Sequence, residues 1–157
     1  MLVNLTHAAT GFETRKIVYV QKPYELNYYS KSEWADAPSR MLPPLLVQAF
    51  ERSGIWQAVV SMPTTVRGDY RVDTEDLEVR QEFLQQPSRA RLSLRVQLLE
   101  LPSSRVVGTR AFEAVENAPS EDAYGGAIAA NRALETLVRE VTDWLAACAR
   151  KSPERRC

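Results

Sequence analysis

Ten residues, Glu33-Trp34-Ala35-Asp36-Ala37-Pro38-Ser39-Arg40-Met41-Leu42, constrain this chain most, because one tryptophan and one proline join a tyrosine-rich extended segment to an apolar helix. Upstream, Tyr24, Leu26 and Tyr28 alternate with polar neighbours, the period of a half-buried strand, which puts these three on the inward face and Tyr29 on the outward one. Downstream, Met41, Leu42, Leu45, Leu46, Ala49 and Phe50 recur at helical spacing and stop at Ser53-Gly54, a glycine signal for a helix C-terminus. Ser39 reads as the N-cap. The Pro43-Pro44 pair predicts a start close by, since a missing amide donor costs least in the first turn. Trp34 and Phe50 read as core side chains.

The same reasoning extends along the chain. Leu2, Val3 and Leu5, then Ile17 to Val20, predict two short strands separated by a loop around Ala8-Ala9-Thr10-Gly11. Ile55 to Val60 predicts a short buried strand closed by Pro63. Asp69 to Leu84 predicts a long strand whose inward parity changes, from even at Tyr70 and Val72 to odd at Leu77, Val79 and Phe83. A bulge near Thr74-Glu75-Asp76 would restore the register. From Arg89 to Leu101 the alternation is cleanest, with Leu92, Leu94, Val96 and Leu98 on one face and Arg91, Ser93, Arg95 and Gln97 on the other. Pro102-Ser103-Ser104 turns this strand into Val106 to Val115, so Asp69 to Val115 is expected to form an antiparallel meander with one wet face. After Pro119-Ser120-Glu121-Asp122, with Ser120 as cap, a last helix carries the stripe Ala127, Ala130, Leu134, Leu137, Val138, Val141, Leu145 and Cys148, which must pack against the sheet. The expected fold is α+β: an antiparallel-rich mixed sheet with two α-helices packed on one face. Residues 1–149 form one domain and residues 150–157 a polar C-terminal tail, in which the basic Arg150-Lys151 and Arg155-Arg156 read as solvated.

Twenty basic and twenty acidic side chains in 157 residues give a formal net charge of zero, so no general electrostatic pull toward nucleic acid or anionic lipid exists. No apolar run is long enough to span a bilayer. With one histidine, His7, and two cysteines, the usual zinc constellations cannot be assembled, and His7 reads as an ordinary strand or loop residue. Cys148 and Cys157 make no disulfide framework; a bridge between them would require the tail to fold back, and would constrain little. Glu75, Asp76 and Glu78 read as solvated acids. Gly125-Gly126 lacks the spacing of a phosphate loop and suits close packing, and Ser53 and Ser61 have no histidine partner. No catalytic, metal or cofactor-binding residue is therefore expected.

The segments Ile17-Val18-Tyr19, Tyr24 to Tyr29, Glu33-Trp34, the helix ending at Ser53-Gly54, Asp69-Tyr70-Arg71-Val72, Arg91-Leu92-Ser93-Leu94, Arg110-Ala111-Phe112-Glu113 and Asn131-Arg132-Ala133-Leu134 through Trp144-Leu145 are specific in order and spacing. Together, from about Leu2 to about Leu145, the chain resembles the auxiliary lipoprotein component of ABC-type transport systems. That family includes the lipoprotein of the paraquat-inducible operon and has been listed as domain of unknown function 330. The resemblance implies a non-enzymatic accessory domain of an envelope lipid-transport system. Its partners would be transporter or mammalian-cell-entry-type substrate-binding subunits, with homo-oligomerisation and lipid contact as further expectations and no nucleic acid. It also implies the periplasmic side of a bacterial envelope and a lipid anchor in the full-length protein. No signal peptide precedes Met1, which reads as truncation or a mis-set start site, or else as a departure from the family in localisation, with truncation the favoured reading. The alternative is a stand-alone periplasmic protein that holds a lipid or small apolar ligand between helix and sheet. The candidate interaction surface is Tyr29 with the neighbouring Glu33 and Trp34, an aromatic patch beside few charges.

Overall fold

The computed structural model describes residues 1–150 and 157. Seven strands and two helices alternate as β1 (Leu2–Ala8), β2 (Lys16–Val20), β3 (Asn27–Glu33), α1 (Pro38–Arg52), β4 (Val60–Ser61), β5 (Tyr70–Glu82), β6 (Arg89–Glu100), β7 (Arg105–Asn117) and α2 (Ala123–Arg150). The strands form one mixed sheet, and both helices lie on one of its faces, as the α+β reading expected.

The long strand β5 organises the sheet. One edge pairs antiparallel with β6 from Tyr70↔Glu100 to Glu82↔Arg89, and β6 pairs antiparallel with β7, giving the expected meander. The other edge is shared: β1 runs parallel along Arg71 to Leu77, and β2 continues parallel along Arg80 to Glu82. β1 and β2 thus lie end to end, with β4 outside β1 and β3 outside β2. The handover coincides with the expected bulge: the register shifts between Glu75 and Glu78, and Asp76 sits at φ 54°. This repairs the parity, so Val72, Leu77 and Val79 are all buried.

The core lies between sheet and helices. Leu92, Leu94, Val96 and Leu98 of β6 meet Ala133, Leu137, Val141 and Leu145 of α2, while Leu42, Leu46 and Phe50 of α1 cover Val3 and Val72. Phe50 is fully buried as expected, and Trp34 is half-buried against the same cluster.

Five local readings are corrected. First, β3 begins at Asn27, and Tyr24 lies before it in a turn at φ 66°, fully exposed. Tyr28 and Leu26 are also exposed, whereas Tyr29 is half-buried against Tyr19. Period-2 alternation states that a strand has two faces but not which of them the helices cover. Second, the strand expected over Ile55–Val60 shrinks to Val60–Ser61, because only two residues find partners on β1 and Ile55 remains exposed. Third, α1 starts at Pro38, with Ala37 at the N-cap and no side-chain cap from Ser39. Pro43 and Pro44 sit inside the helix, where their missing amides leave the Ser39 and Arg40 carbonyls without the usual i−4 donors. Burial of Leu42, Pro43, Leu46 and Phe50 outweighs that loss.

Fourth, the cap of α2 is Asp122 rather than Ser120. Asp122 Oδ1 accepts from the Gly125 N–H at 2.8 Å and from the Ser120 hydroxyl at 2.6 Å. Both bonds hold the exposed carboxyl below its ordinary titration range. Fifth, Cys148 and Cys157 are disulfide-bonded, with Cα atoms 5.5 Å apart, and the Cys157 N–H donates to the Val107 carbonyl of β7. The bridge that the sequence left open is therefore formed. The basic pairs of the expected tail, apart from Arg150, lie outside the described residues.

Candidate functional site

An apolar trough lies open along the seam between α1 and α2. Helix α1 buries Leu42, Leu46 and Phe50 against the sheet, which leaves Met41 and Leu45 turned toward α2, with Leu45 39% exposed. On α2, Ala133, Leu137 and Val141 point to the sheet, and Leu134 and Val138 stand half-buried on the seam side. Small side chains at Ala35 and Ala130 leave the space between unfilled. The result is a trough of about 290 Å³, floored by Leu77, Val79 and Leu92 and walled at one end by Trp34. Asn131 is the one polar side chain other than backbone in its lining. Leu45, Asn131 and Leu134 also line a wider, more polar continuation of about 750 Å³, where Gln48, Arg52, Glu135, Arg139 and Asp143 stand. A largely preformed concave apolar site with a few polar groups at one end is the usual form of a small-molecule pocket.

Trp34 is fixed by main-chain contacts: its N–H donates to the Arg15 carbonyl at 2.7 Å, and Arg15 Nε donates to its carbonyl at 3.4 Å. The Arg15–Glu33 ion pair beside it, at 3.1 Å, is more than half exposed on both sides and contributes little stability. Tyr29 anchors a separate polar chain under the helices. Its hydroxyl donates to Gln81 Oε1 at 2.9 Å, Gln81 Nε2 donates to Ser88 Oγ at 2.9 Å, and the Ser88 N–H donates to the Glu121 carboxylate at 2.8 and 3.2 Å. Burial, followed by Tyr19, Asp122 and Glu121 nearby, pushes the Tyr29 phenol up to about 12. The first turn of α2 crosses close above this chain, and a Cβ at Gly126 would collide with Gln81 Oε1. The glycine pair thus serves close packing.

On the far face of the sheet, Glu82 is almost completely buried among three guanidinium groups. It accepts from Arg80 Nε at 3.1 Å, Arg89 Nε at 2.9 Å and Arg91 Nε at 2.7 Å, and Arg91 also pairs with Glu113. Glu78 pairs with Arg80 and Glu75 with Arg95, so two of the three clustered acids act as ion-pair partners across the wet face. His7 is exposed on β1. Among the described residues no cluster of His, Cys, Asp or Glu is arranged to hold a metal ion, and no helix is long and apolar enough to cross a membrane.

The three candidate surface residues are therefore divided. Glu33 is exposed on the edge strand β3, Tyr29 is turned to Gln81, and Trp34 closes the trough. Sequence reasoning assigned Leu134 to the stripe of α2 and Leu45 to that of α1 without recognising that they face each other across an opening. Their partial exposure follows from helix spacing, which no stripe records.

A family model described as the ABC-type transport auxiliary lipoprotein component matches residues 6–142. Among solved structures, a Xanthomonas campestris protein of family DUF330 is 28% identical, with a TM-score of 0.85, covering 94% of this chain and 83% of that one. A dodecameric PelC variant from Paraburkholderia phytofirmans shares the fold at 13% identity and a TM-score of 0.56, covering 96% of this chain and 86% of its own. A hypothetical protein from Chlamydia trachomatis does so at 10% identity and a TM-score of 0.56, covering 95% and 97%. No curated protein matches in sequence. With the match running from β1 into the last turns of α2, the chain belongs to the family of ABC-type transport auxiliary lipoprotein components.

Proposed function

We propose that this chain is a non-enzymatic accessory subunit of an envelope lipid-transport system of the mammalian-cell-entry-linked kind, built as a single domain over residues 1–149. Its family membership across residues 6–142 carries this reading, because the family is described as an auxiliary transport component. It works by contact with transporter or substrate-binding subunits. In its full-length form it is lipid-anchored on the periplasmic side of the envelope. The Cys148–Cys157 disulfide supports that side, since structural disulfides persist in oxidising compartments. The dodecamer formed by a PelC variant of the same fold supports a homo-oligomer, which multiplies identical contacts toward a multi-subunit transporter. Edge strand β3, with Glu33 outward and Tyr29 and Trp34 beneath, is the proposed contact.

The second reading, a stand-alone periplasmic binder of an apolar ligand, is favoured by the open trough between the helices. Cross-linking and affinity isolation of the lipidated protein from its own membranes, followed by native mass spectrometry, tests the choice. A multimer recovered with a permease, an ATPase or a substrate-binding subunit supports the accessory role. A monomer that carries lipid and cross-links to none of these overturns it.

A further inference from the structure

From the α1–α2 seam we infer that this chain binds one anionic single-chain amphiphile, its alkyl tail in the Trp34–Leu92 trough and its carboxylate or phosphate headgroup at Arg52 and Arg139.

Volume, length and charge all point to this class of ligand. A small group takes about 30 Å³ in a liquid, as water does, so a trough of about 290 Å³ holds on the order of ten methylenes. Its lining of Met41, Leu45, Leu77, Leu92 and Leu134 is hydrocarbon-rich, with Asn131 the polar side chain toward the wider end. From Met41 to Arg52 the helix advances about 16 Å at about 1.5 Å per residue. A tail seated beside Met41 therefore brings its headgroup toward the polar continuation of the groove.

That continuation is lined by Arg52, Arg139 and Arg150 against Glu135 and Asp143, three cations against two anions, for a local net charge of +1. Among the described residues, none of these arginines has a carboxylate within ion-pair distance. Arg150 spends Nε on the Ala146 carbonyl. The contrast with the opposite face is sharp, because Arg71, Arg80, Arg89, Arg91 and Arg95 there are each paired. Arginines with no carboxylate in ion-pair distance among the described residues, beside an apolar trough, match a ligand with an acidic end and a hydrocarbon end.

The purified chain tests this by calorimetric titration with decanoate, decyl phosphate and decanol below their aggregation concentrations. Saturable binding of one anion per chain is expected, with decanol about tenfold weaker, the loss of roughly one charge-assisted contact. The tighter of the two anions identifies the headgroup source. The double variant Arg52→Glu/Arg139→Glu, on exposed positions, should abolish the preference for the anions and leave decanol unchanged. Leu134→Asp should weaken all three probes; Leu45→Gln, at a more exposed site, repeats that arm if the first variant melts early. No saturable binding by any probe, equal affinity for decanol and the anions, or indifference to the variants would each overturn the assignment. The inference rests on the transport reading only for the origin of the ligand. Partner isolation that fails while decanoate still binds removes the transport role alone, and the converse removes this site alone.

Discussion

Replacing Glu82 by glutamine should destabilise the protein in a pH-dependent way. The carboxylate is 3% exposed on the far face of the sheet. Burial alone would raise its pKa, but hydrogen bonds from Arg91, Arg89 and Arg80 outweigh burial and bring it from 4.5 down to about 2. At about 1.4 kcal/mol per pH unit, that drop corresponds to at most about 3.5 kcal/mol of native-state stability. The folded value lies below the unfolded one, so this stability is fully present above pH 4.5 and is lost as the pH falls from 4.5 toward about 2. Glutamine keeps the shape but not the charge: Arg89 loses its carboxylate partner, and Arg80 and Arg91 keep only Glu78 and Glu113. Urea unfolding at pH 7 should show Glu82→Gln less stable by about 2 to 3 kcal/mol. Near pH 2, where about half of the wild-type side chains are themselves protonated, the difference should shrink to under about 1 kcal/mol. Glu75→Gln provides the control: its pair with Arg95, at 3.3 Å, is 43% and 48% exposed, and its loss should cost under about 1 kcal/mol. A deficit for Glu82→Gln that is the same at pH 7 and pH 2, or one no larger than that of the control, would refute the reasoning.

Leu94→Ala and Leu137→Ala, at 2% and 0% exposure on either side of the sheet–helix interface, should each cost about 2 to 5 kcal/mol by chemical denaturation. Arg95→Ala and Arg139→Ala should change little, and larger effects from the arginines would mean that the faces are reversed. Spectrophotometric titration should find Tyr29 ionising late, at about 12. Its raised value contributes stability below pH 10 that is lost as the pH climbs to about 12, and Tyr29→Phe should remove both the late titration and that dependence. Asn131→Leu, which adds apolar volume to the seam, should raise stability by about 0.5 to 1.5 kcal/mol and weaken decanoate binding. Thiol titration in denaturant without reductant should find no free cysteine, and Cys148→Ser should cost about 2 to 3 kcal/mol for the short loop it opens.

The meander was legible because each of its residues reports its own face. Leu92, Leu94, Val96 and Leu98 alternate with polar neighbours without interruption, and the parity change in β5 locates the bulge to within the Glu75–Glu78 step that the structure shows. Pairing between distant segments leaves no such trace. Nothing in Leu2–Ala8 or Lys16–Val20 states that both lie along one edge of β5, one after the other. β3 misled for a related reason: its face is set by Gln81, which accepts the Tyr29 hydroxyl, and by Gly126, which lets α2 approach. Pro43 and Pro44 misled in another way, since tertiary burial of Leu42, Leu46 and Phe50 overrides a local cost that sequence reasoning placed at the helix start.

The seam follows from the sheet's own spacing. Helix α1 packs chiefly on β1, and α2 on β6 and β7, with β5 between them. At about 4.8 Å per strand, β1 stands about 12 Å from the midline of β6 and β7. Helices in full contact lie about 8 to 10 Å apart. The sheet therefore holds the two helices a few ångströms wider than close packing, over the stretch floored by Leu77, Val79 and Leu92. Larger side chains in the lining could have filled the difference, but Ala35 and Ala130 stand there instead. The two prolines early in α1 act in the same place: they withhold amide donors from the first turns, those that border the trough beside Trp34. An opening set by strand count and kept by small residues belongs to the architecture rather than to a packing fault, which is why a ligand can occupy it without moving the core.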